Sequence, residues 1–467
     1  MNFGARKRFL SWVETSLSID RYDAIKLILG AISFFFIISS YSILRSLKTS
    51  IFLGFVGRQY EPISKFLSIF VTIPAMMLLA KITDKFDRHQ VVYCFMGFYA
   101  LAAIIFAILF MHPVYGIHNT ITSPYRITGW AFEIVMDLFQ ALVVGTFWSF
   151  LNSVCSPSFA SKSYGFIVAA SRVGGMTAAF LSWMFLKKIA LEESIIISGL
   201  TAGTGIFLFI AIACVYYINS KIPTANLHGY EAAYRSDRQQ EKSKKKVNMF
   251  EGLRLMLMEP YVLGIFGLVF SYEIISIIFD YQMHVLMSLA SNNRVYDMSL
   301  FMLLYTGTFQ LVSLLFALFG TTTLLKRVGV KASLLVMPIV TVVLAVAPLL
   351  CPTLSMFFVV MVILRALNYG FNHPLREILF IPTTKDIKFK SKAWIESFGR
   401  TLSKTMGSSF NYITTLITAP YMCLVAASTI SCGLSVVWAL IGLLVGKKYI
   451  TTLKENKVIG TKDQSTC

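Results

Sequence analysis

Charged side chains occur inside long apolar stretches of this sequence, where ordinary packing does not call for them. They are Lys48, Glu133, Asp137, Arg172, Glu273, Asp280, Arg365, Glu396, Arg400 and Lys404. A charge at the centre of a membrane helix costs about 2.5–3.5 kcal/mol on insertion scales, so each one needs a partner or a wet cavity. Lysine and arginine bind anions, while carboxylates pair with those cations or take up protons. These residue types indicate a polar site for an anion within an apolar protein.

Helical spacing puts several of these charges on shared faces. The groups with such spacing are Glu133 with Asp137, Glu273 with Asp280, and Glu396 with Arg400 and Lys404. Residues three, four or seven apart lie on one side of a helix. Lys404 lies about ten residues inside its predicted helix, or ~15 Å at 1.5 Å per residue, which is mid-membrane depth. For Glu396 and Arg400, a plain ion pair at the helix mouth is an equal alternative to a binding role.

The presence of both positive and negative charges narrows the range of candidate substrates. A drug exporter needs mainly an apolar cavity, and an ion channel favours a ring of one sign. Several cations suit a polyanion such as a phosphate ester, with carboxylates that hold the cations in the empty site or bind protons for coupling. Arg172 and Arg365 have two explanations, as ligands of the anion or as interhelix ties. The acids expected to receive such ties are Glu133, Asp137 and Glu273.

The elements that position these charges are predicted to be membrane helices. Only 14% of residues are charged and 56% are hydrophobic, whereas soluble domains average about 25% charged residues. Twelve apolar runs are long enough to span a bilayer. They lie near 25–46, 64–82, 91–112, 128–150, 164–187, 194–218, 261–287, 298–324, 330–351, 354–373, 395–419 and 421–446. The joins at Pro352 and Pro420 are predicted to be turns between two helices.

Basic residues set the expected orientation and halves. Clusters of lysine and arginine precede the first span and follow the even-numbered ones, so both termini are predicted to be cytoplasmic. We therefore predict an all-α membrane protein of twelve transmembrane helices in two six-helix bundles, which is a major facilitator-like layout. The predicted parts are a bundle at 1–218, a basic cytoplasmic linker at 219–260, a bundle at 261–446 and a cytoplasmic tail at 447–467.

Other function classes lack their sequence signals. The net charge of +19 follows from membrane topology, so no nucleic-acid partner is expected. The sequence has no G-x-x-x-x-G-K-[ST] phosphate loop, no readable nucleophile with its base and no cluster of metal ligands. We expect neither an enzyme nor a bound metal or cofactor.

Four stretches of this sequence carry a family resemblance. They are "YSILRSLKTSIFL", "GTFWSFLNS", "SYEIISIIFDYQMHVL" and "HPLREILFIPTTKDIKFKSKAWIE". In their order and spacing they resemble the bacterial and plastid ATP/ADP translocase family, the nucleotide transporters of obligate intracellular bacteria and plastids. The longest stretch keeps the residues of the family's segment after the tenth span. Those residues are Pro374, Arg376, Glu377, Ile381, Pro382, Asp386, Lys388, Lys390, Lys392, Ala393 and Glu396.

The resemblance implies where the transport site lies. In that family two lysines and two glutamates, one of each per half, are the charges associated with nucleotide transport. They fall here on Lys48, Asp137, Asp280 and Lys404, so both acids are shortened to aspartate, and His284 replaces a family lysine. Secondary candidates are Arg45, Glu133, Trp148, Arg172, Glu273, Arg365 and Arg400. Candidates for stacking on a base are Phe147, Trp148 and Tyr369.

The predicted function is secondary transport of a nucleotide across the cytoplasmic membrane of an intracellular bacterium by alternating access. The resemblance favours ATP/ADP exchange or related nucleotide uptake, with the nucleotide and the lipid bilayer as partners. The alternative is a proton-coupled facilitator symporter for another nucleotide, a nucleotide-containing cofactor or an organic anion. The departures at the two acids and at His284 keep that alternative open.

Overall fold

The protein is helical throughout the part of the chain that the structure describes. The computed structural model describes residues 19–189, 191–223, 251–317, 321–384, 387, 391–417, 419–455 and 458–460. The helices are α1 (Arg21–Phe55), α2 (Glu61–Lys85), α3 (Arg88–Met111), α4 (Ile127–Asp137), α5 (Gly145–Val154), α6 (Pro157–Lys188), α7 (Glu193–Lys221), α8 (Glu251–Met258), α9 (Pro260–Ala290), α10 (Val295–Leu315), α11 (Thr321–Leu350), α12 (Leu354–Leu367), α13 (His373–Leu379), α14 (Lys392–Trp394), α15 (Arg400–Thr415) and α16 (Pro420–Lys454). Among these residues only an isolated bridge between Thr383 and Ile459 is of β type. The all-α prediction is confirmed.

Eleven helices in the described ranges are long and apolar enough to cross a membrane. They match eleven of the twelve predicted spans. The twelfth, predicted at 395–419, is helical from Lys392 to Thr415. Its α15 carries Arg400 and Lys404 along one face, and this polarity separates it from the other eleven. The chain is a multi-pass membrane protein.

Both predicted proline turns are confirmed. Pro352 lies between α11 and α12, where the Thr353 side chain accepts a hydrogen bond from the Met356 amide at 3.3 Å and so caps α12. Pro420 is the first residue of α16, a position where its missing N–H leaves no helical bond unmade. Within α11 the backbone breaks at Gly329, whose φ of +76° lies in the left-handed region that favours glycine.

Three π-helical turns lie wholly within the described residues and interrupt the spans. They cover Gln140–Val144 between α4 and α5, Asn368–Asn372 between α12 and α13, and Ile395–Gly399 between α14 and α15. A π turn adds a residue to a helical turn, so side chains after it are rotated relative to those before it. Such turns occur often at functional sites, and two of the three adjoin helices that carry buried charges, Glu133 on α4 and Arg365 on α12.

Close contacts among the described residues divide the chain into two compact units. Unit 1 comprises Met1–Gly57, Phe70–Lys246 and Asn293–Gln310. Here α1 packs along α6 and α7, and α3 packs along α7. Ser40 donates to the carbonyl of Thr204 at 3.1 Å, an interhelix bond of the kind that small polar residues make in membranes. Gly174 lies so close to α1 that a Cβ would be 2.6 Å from the carbonyl oxygen of Phe35. This packing fixes the helix that carries Lys48.

The second unit is built around α9. Unit 2 comprises Arg58–Ile69, Val247–Asn292 and Leu311–Cys467. Helix α9 packs against α12, α15 and α16, and α11 packs against α16. The Asn411 amide donates to the carbonyl of Ile277 at 3.0 Å, and the Tyr261 hydroxyl donates to that of Leu379 at 2.8 Å. These bonds hold the helix that carries Glu273 and Asp280.

The predicted linker at 219–260 lies largely outside the described residues. The boundaries of the two predicted bundles and the cytoplasmic orientation of both termini stay predictions.

Candidate functional site

Lys48 of α1 lies between two carboxylates of α4. Its Nζ donates to Glu133 at 3.2 Å and also hydrogen-bonds to Asp137. Glu133 is 2% exposed and Lys48 is 8% exposed, whereas the Asp137 side chain is 23% exposed, so the cluster is closed on the side of Glu133 and partly open on the side of Asp137. We call these three residues the Lys48 cluster. Glu133 and Asp137 reach the same ammonium group because they lie one turn apart on one face of α4.

The end of α4 presents both acids to α1. The helix stops at Asp137, and the π turn Gln140–Val144 begins three residues later. The last carbonyls of an α-helix lack partners within the helix, and the Tyr99 hydroxyl donates to one of them, that of Val135, at 2.8 Å. Tyr99 is fully buried. Its bond holds α4 beside α3 at the level of the Lys48 cluster.

Unit 2 contains a comparable buried pair, in which the acid comes first along the chain and the cation second. Asp280 of α9 accepts a hydrogen bond from Arg365 of α12, and each residue is 8% exposed. The π turn Asn368–Asn372 begins three residues after Arg365. Both Lys48–Glu133 and Asp280–Arg365 join residues that are 85 positions apart. Equal spacing of this kind is consistent with transporters built from repeated halves.

A second group of charges in unit 2 centres on Arg400. Its guanidinium is 2.8 Å from Glu396, one turn earlier, and its Nε is 3.5 Å from Glu273 of α9. We call Glu273, Glu396 and Arg400 the Arg400 cluster. The cluster contains the ion pair that sequence spacing offered as an alternative for Glu396 and Arg400, and it also ties α15 to α9.

The structure shows partners for two arginines that the sequence did not name. As interhelix ties, Arg172 and Arg365 were expected to bind Glu133, Asp137 or Glu273. Arg365 instead binds Asp280, and Arg172 donates to the side-chain oxygen of Gln310 at 3.3 Å. The reason is that helical periodicity gives the face of a residue and leaves open which neighbouring helix covers that face.

The remaining predicted residues lie outside these clusters. Lys404 is exposed and follows Arg400 by one turn of α15. The Arg45 guanidinium lies 6.0 Å from the centre of the Phe309 ring. Tyr369 is half-buried in the π turn that follows α12.

The aromatic candidates on α5 belong to a packed group. Phe147 is fully buried and stacks on Phe34 with ring centres 5.2 Å apart. Trp148 is half-buried and meets the edges of Phe34 and Tyr164 at 5.2 and 5.1 Å. Phe147 is therefore a core residue in this conformation, whereas Trp148 and Tyr369 keep exposed surface that a base can contact.

Two buried features were absent from the predicted site. His284 of α9 is 2.8 Å from Glu61, the first residue of α2, and both are about nine-tenths buried. Arg376 of α13 is 3% exposed. Predicted span ends at 64 and 373 placed Glu61 and Arg376 outside the membrane, but the helices extend beyond those ends. The signal that could have identified both is a titratable residue at the edge of an apolar run.

Sequence comparisons identify relatives of one kind. The family model described as TLC ATP/ADP transporter matches residues 4–351. ADP,ATP carrier protein 1 of Rickettsia prowazekii (strain Madrid E) is 23% identical over 446 residues, which cover 84% of this chain and 86% of that protein. ADP,ATP carrier protein 1 of Chlamydia muridarum (strain MoPn / Nigg) is 22% identical over 456 residues, which cover 87% of this chain and 84% of the relative.

Solved transporter structures share the fold. A D-xylose-proton symporter aligns with a TM-score of 0.61 at 14% identity, over 92% of this chain and 97% of its own. A point mutant of the nucleoside transporter NupG aligns with a TM-score of 0.58 at 15% identity, over 90% of this chain and 99% of its own. At these identities the likeness shows the fold alone, which is that of major facilitator-type transporters.

Proposed function

The chain belongs to the TLC ATP/ADP transporter family, and we propose that it exchanges ATP for ADP across the bacterial inner membrane by alternating access. The names of its relatives, which are ADP,ATP carrier proteins, support this choice of substrate. The observation that carries the proposal within the molecule is the Lys48 cluster, a buried cation held by two acids inside a membrane-spanning unit.

In the proposed mechanism Lys48 exchanges partners during transport. An ammonium group is a compact donor with three N–H bonds, which suits a phosphate without demanding one geometry. Because an unpaired charge in the membrane is costly, Lys48 needs an anion at every stage of the cycle. Glu133 and Asp137 fill that need in the empty carrier, and a phosphate group of the nucleotide fills it when substrate arrives. The released carboxylates then either contact other donors or take up protons.

Unit 2 carries the second candidate lysine and a fixed frame. Lys404 is exposed in this conformation, so a phosphate can reach its ammonium group without displacing a packed core. Asp280 is held by Arg365, and this neutral pair keeps α9 and α12 in register. The candidate rings for the base are Trp148 and Tyr369, because the ring of Phe147 is enclosed by its neighbours.

The second candidate function is proton-coupled uptake of a nucleotide or another organic anion, and one observation favours it. His284 and Glu61 form a buried imidazole–carboxylate contact of 2.8 Å, and an imidazole can carry one proton or two. Tyr281 lies one turn before His284 and faces both Glu61 and Arg58. A proton taken up here would alter a buried contact between α9 and the start of α2.

Uptake by proteoliposomes separates the two functions. Labelled ATP is offered to vesicles that contain the purified protein and are loaded with ADP, left empty, or given an inward proton gradient. We expect entry that depends on internal ADP and is competed by unlabelled ADP outside. Entry into empty vesicles that follows the proton gradient, and is lost in His284→Gln, would support the symporter. No entry of any nucleotide would reject both.

A further inference from the structure

Arg376 is a deeply buried arginine without hydrogen bonds among the described residues. It lies on α13, near the end of the span Leu354–Leu379, and its side chain is 3% exposed. None of its three side-chain nitrogens has a hydrogen-bond partner in the described part of the chain. A guanidinium has five N–H donors, and burial of such a charge without bonds is strongly unfavourable.

The acids nearest to Arg376 are already engaged elsewhere. Glu396 and Glu273 both act on its charge, but both also contact Arg400, at 2.8 and 3.5 Å. The other groups that face this region are the Tyr272 and His373 side chains and the Arg400 guanidinium. Arg376 therefore differs from Arg365, whose guanidinium is hydrogen-bonded to Asp280. A purely structural role would be expected to provide such a bond.

From this difference we propose that Arg376 is a phosphate-binding residue that selects nucleotides by their terminal phosphates. This inference rests on the proposed function. A planar guanidinium matches the spacing of two phosphate oxygens and binds them bidentately, which a lysine does not do. Lys404 of the same unit then neutralises phosphate charge, while Arg376 contacts the terminal phosphates, which AMP lacks.

The elements around Arg376 are suited to open for such a ligand. Helix α13 follows the π turn Asn368–Asn372, and α15, which carries Arg400, follows the π turn Ile395–Gly399. Such turns are common at functional sites. A movement at either turn exposes Arg376, and a bound phosphate then stabilises the opened arrangement because it supplies the missing acceptors. Substrate binding and conformational change are thereby linked at one residue.

Binding and stability measured on the full chain in detergent test this role. Dissociation constants for ATP, AMP and adenosine, and the Tm without ligand, are compared for wild type, Arg376→Met and Arg376→Lys. Arg376→Met should weaken ATP binding about tenfold or more, change AMP binding little and leave the Tm equal or higher, because it removes an unbonded buried charge. Arg376→Lys should give an intermediate ATP affinity.

Two further arginines serve as controls. Arg365→Met should lower the Tm because it leaves Asp280 without its partner, and Arg254→Met, at an exposed position of α8, should change neither the ATP affinity nor the Tm. Phosphatidylglycerol added to the micelles is the lipid source of phosphate and should not compete with ATP.

Several results would overturn the inference. One is a Tm loss in Arg376→Met as large as that in Arg365→Met with an unchanged ratio of ATP to AMP affinity, which indicates a structural role. If Arg376→Met binds ATP as tightly as the wild type, the phosphate contact of Arg376 is rejected while the proposed function stands. If phosphatidylglycerol competes with ATP, the ligand of Arg376 is a lipid headgroup. If the wild type binds no nucleotide at all, the proposed function fails together with this inference.

Discussion

At the scale of single residues, Lys48 determines the charge balance of unit 1. Its ammonium group faces the carboxylates of Glu133 and Asp137, so the Lys48 cluster carries one net negative charge when all three are ionised. Removal of one member of a buried ion pair is far more damaging than removal of the whole pair, because the partner left behind stays buried and charged.

The first prediction follows from that asymmetry. Lys48→Met alone should cost about 3–5 kcal/mol of stability, seen as a lower Tm in detergent. Lys48→Met combined with Glu133→Gln and Asp137→Asn should recover most of the Tm, because no unpaired charge remains. Both proteins should fail to exchange nucleotide. A combined variant no more stable than Lys48→Met would show that the acids do not depend on the lysine.

Residue types were easier to predict than residue partners. The cost of membrane charges identified Lys48, Asp137 and Asp280 as exceptional from sequence, and the structure brings the first two together. The sequence could not identify Asp280 as the partner of Arg365, because periodicity within one helix carries no information on the next helix. Arg376 was missed as a buried residue because polar neighbours suggested that the span ended before it.

At the scale of elements, the pair Asp280–Arg365 connects α9 to α12 in a buried setting. The pair depends on opposite charge, and its two side chains come from different helices. Exchange of the two residues keeps opposite charges in contact, while a single reversal places two like charges together.

The second prediction concerns that exchange. Asp280→Arg and Arg365→Asp should each destabilise the protein by more than about 3 kcal/mol and reduce the folded yield. The double variant should regain a Tm close to that of the wild type, because the ion pair re-forms in the opposite direction. A double variant as unstable as either single one would mean that the surroundings of each residue, rather than their mutual attraction, determine stability.

The third prediction concerns the π turn Gln140–Val144. Deletion of Ala141 should convert it into an ordinary helical turn and rotate α5 by about 100° relative to α4. Phe147 would then leave its stack on Phe34, so exchange should fall to background while circular dichroism reports unchanged helicity.

A compensating insertion provides the matched control for that deletion. Alanine inserted after Val144 in the deleted protein restores the length of the turn and should restore exchange. Full exchange by the deletion variant alone would show that the π turn has no part in the site. No sequence pattern signalled this turn, because its five residues are apolar or helix-compatible like those around them.

At the scale of the whole molecule, the span count was the most predictable property. Backbone groups in lipid must form their bonds within each helix, so apolar runs map directly onto helices, and eleven predicted spans correspond to apolar helices in the described residues. The predicted span at 395–419 is the more polar one because it carries Arg400 and Lys404. One of these charges, Lys404, is the lysine that the proposed function uses to bind phosphate.

Two units with equal spacing of their buried pairs, 85 residues in each, are consistent with a carrier made of repeated halves. On this account Lys48 and Arg365 are paired with acids when the carrier is empty, and the nucleotide replaces the acid partners of Lys48 during transport.

The most direct test of the account is ATP–ADP counter-exchange by the purified protein in proteoliposomes, for wild type and Lys404→Gln. Lys404 is exposed, so the substitution should change the free energy of unfolding by less than about 1 kcal/mol and leave the Tm close to that of the wild type. We predict rapid entry of labelled ATP into ADP-loaded vesicles with the wild type and at least about tenfold slower entry with Lys404→Gln, because a phosphate loses a charged donor. Equal rates for the two proteins, or no exchange by the wild type, would contradict the account.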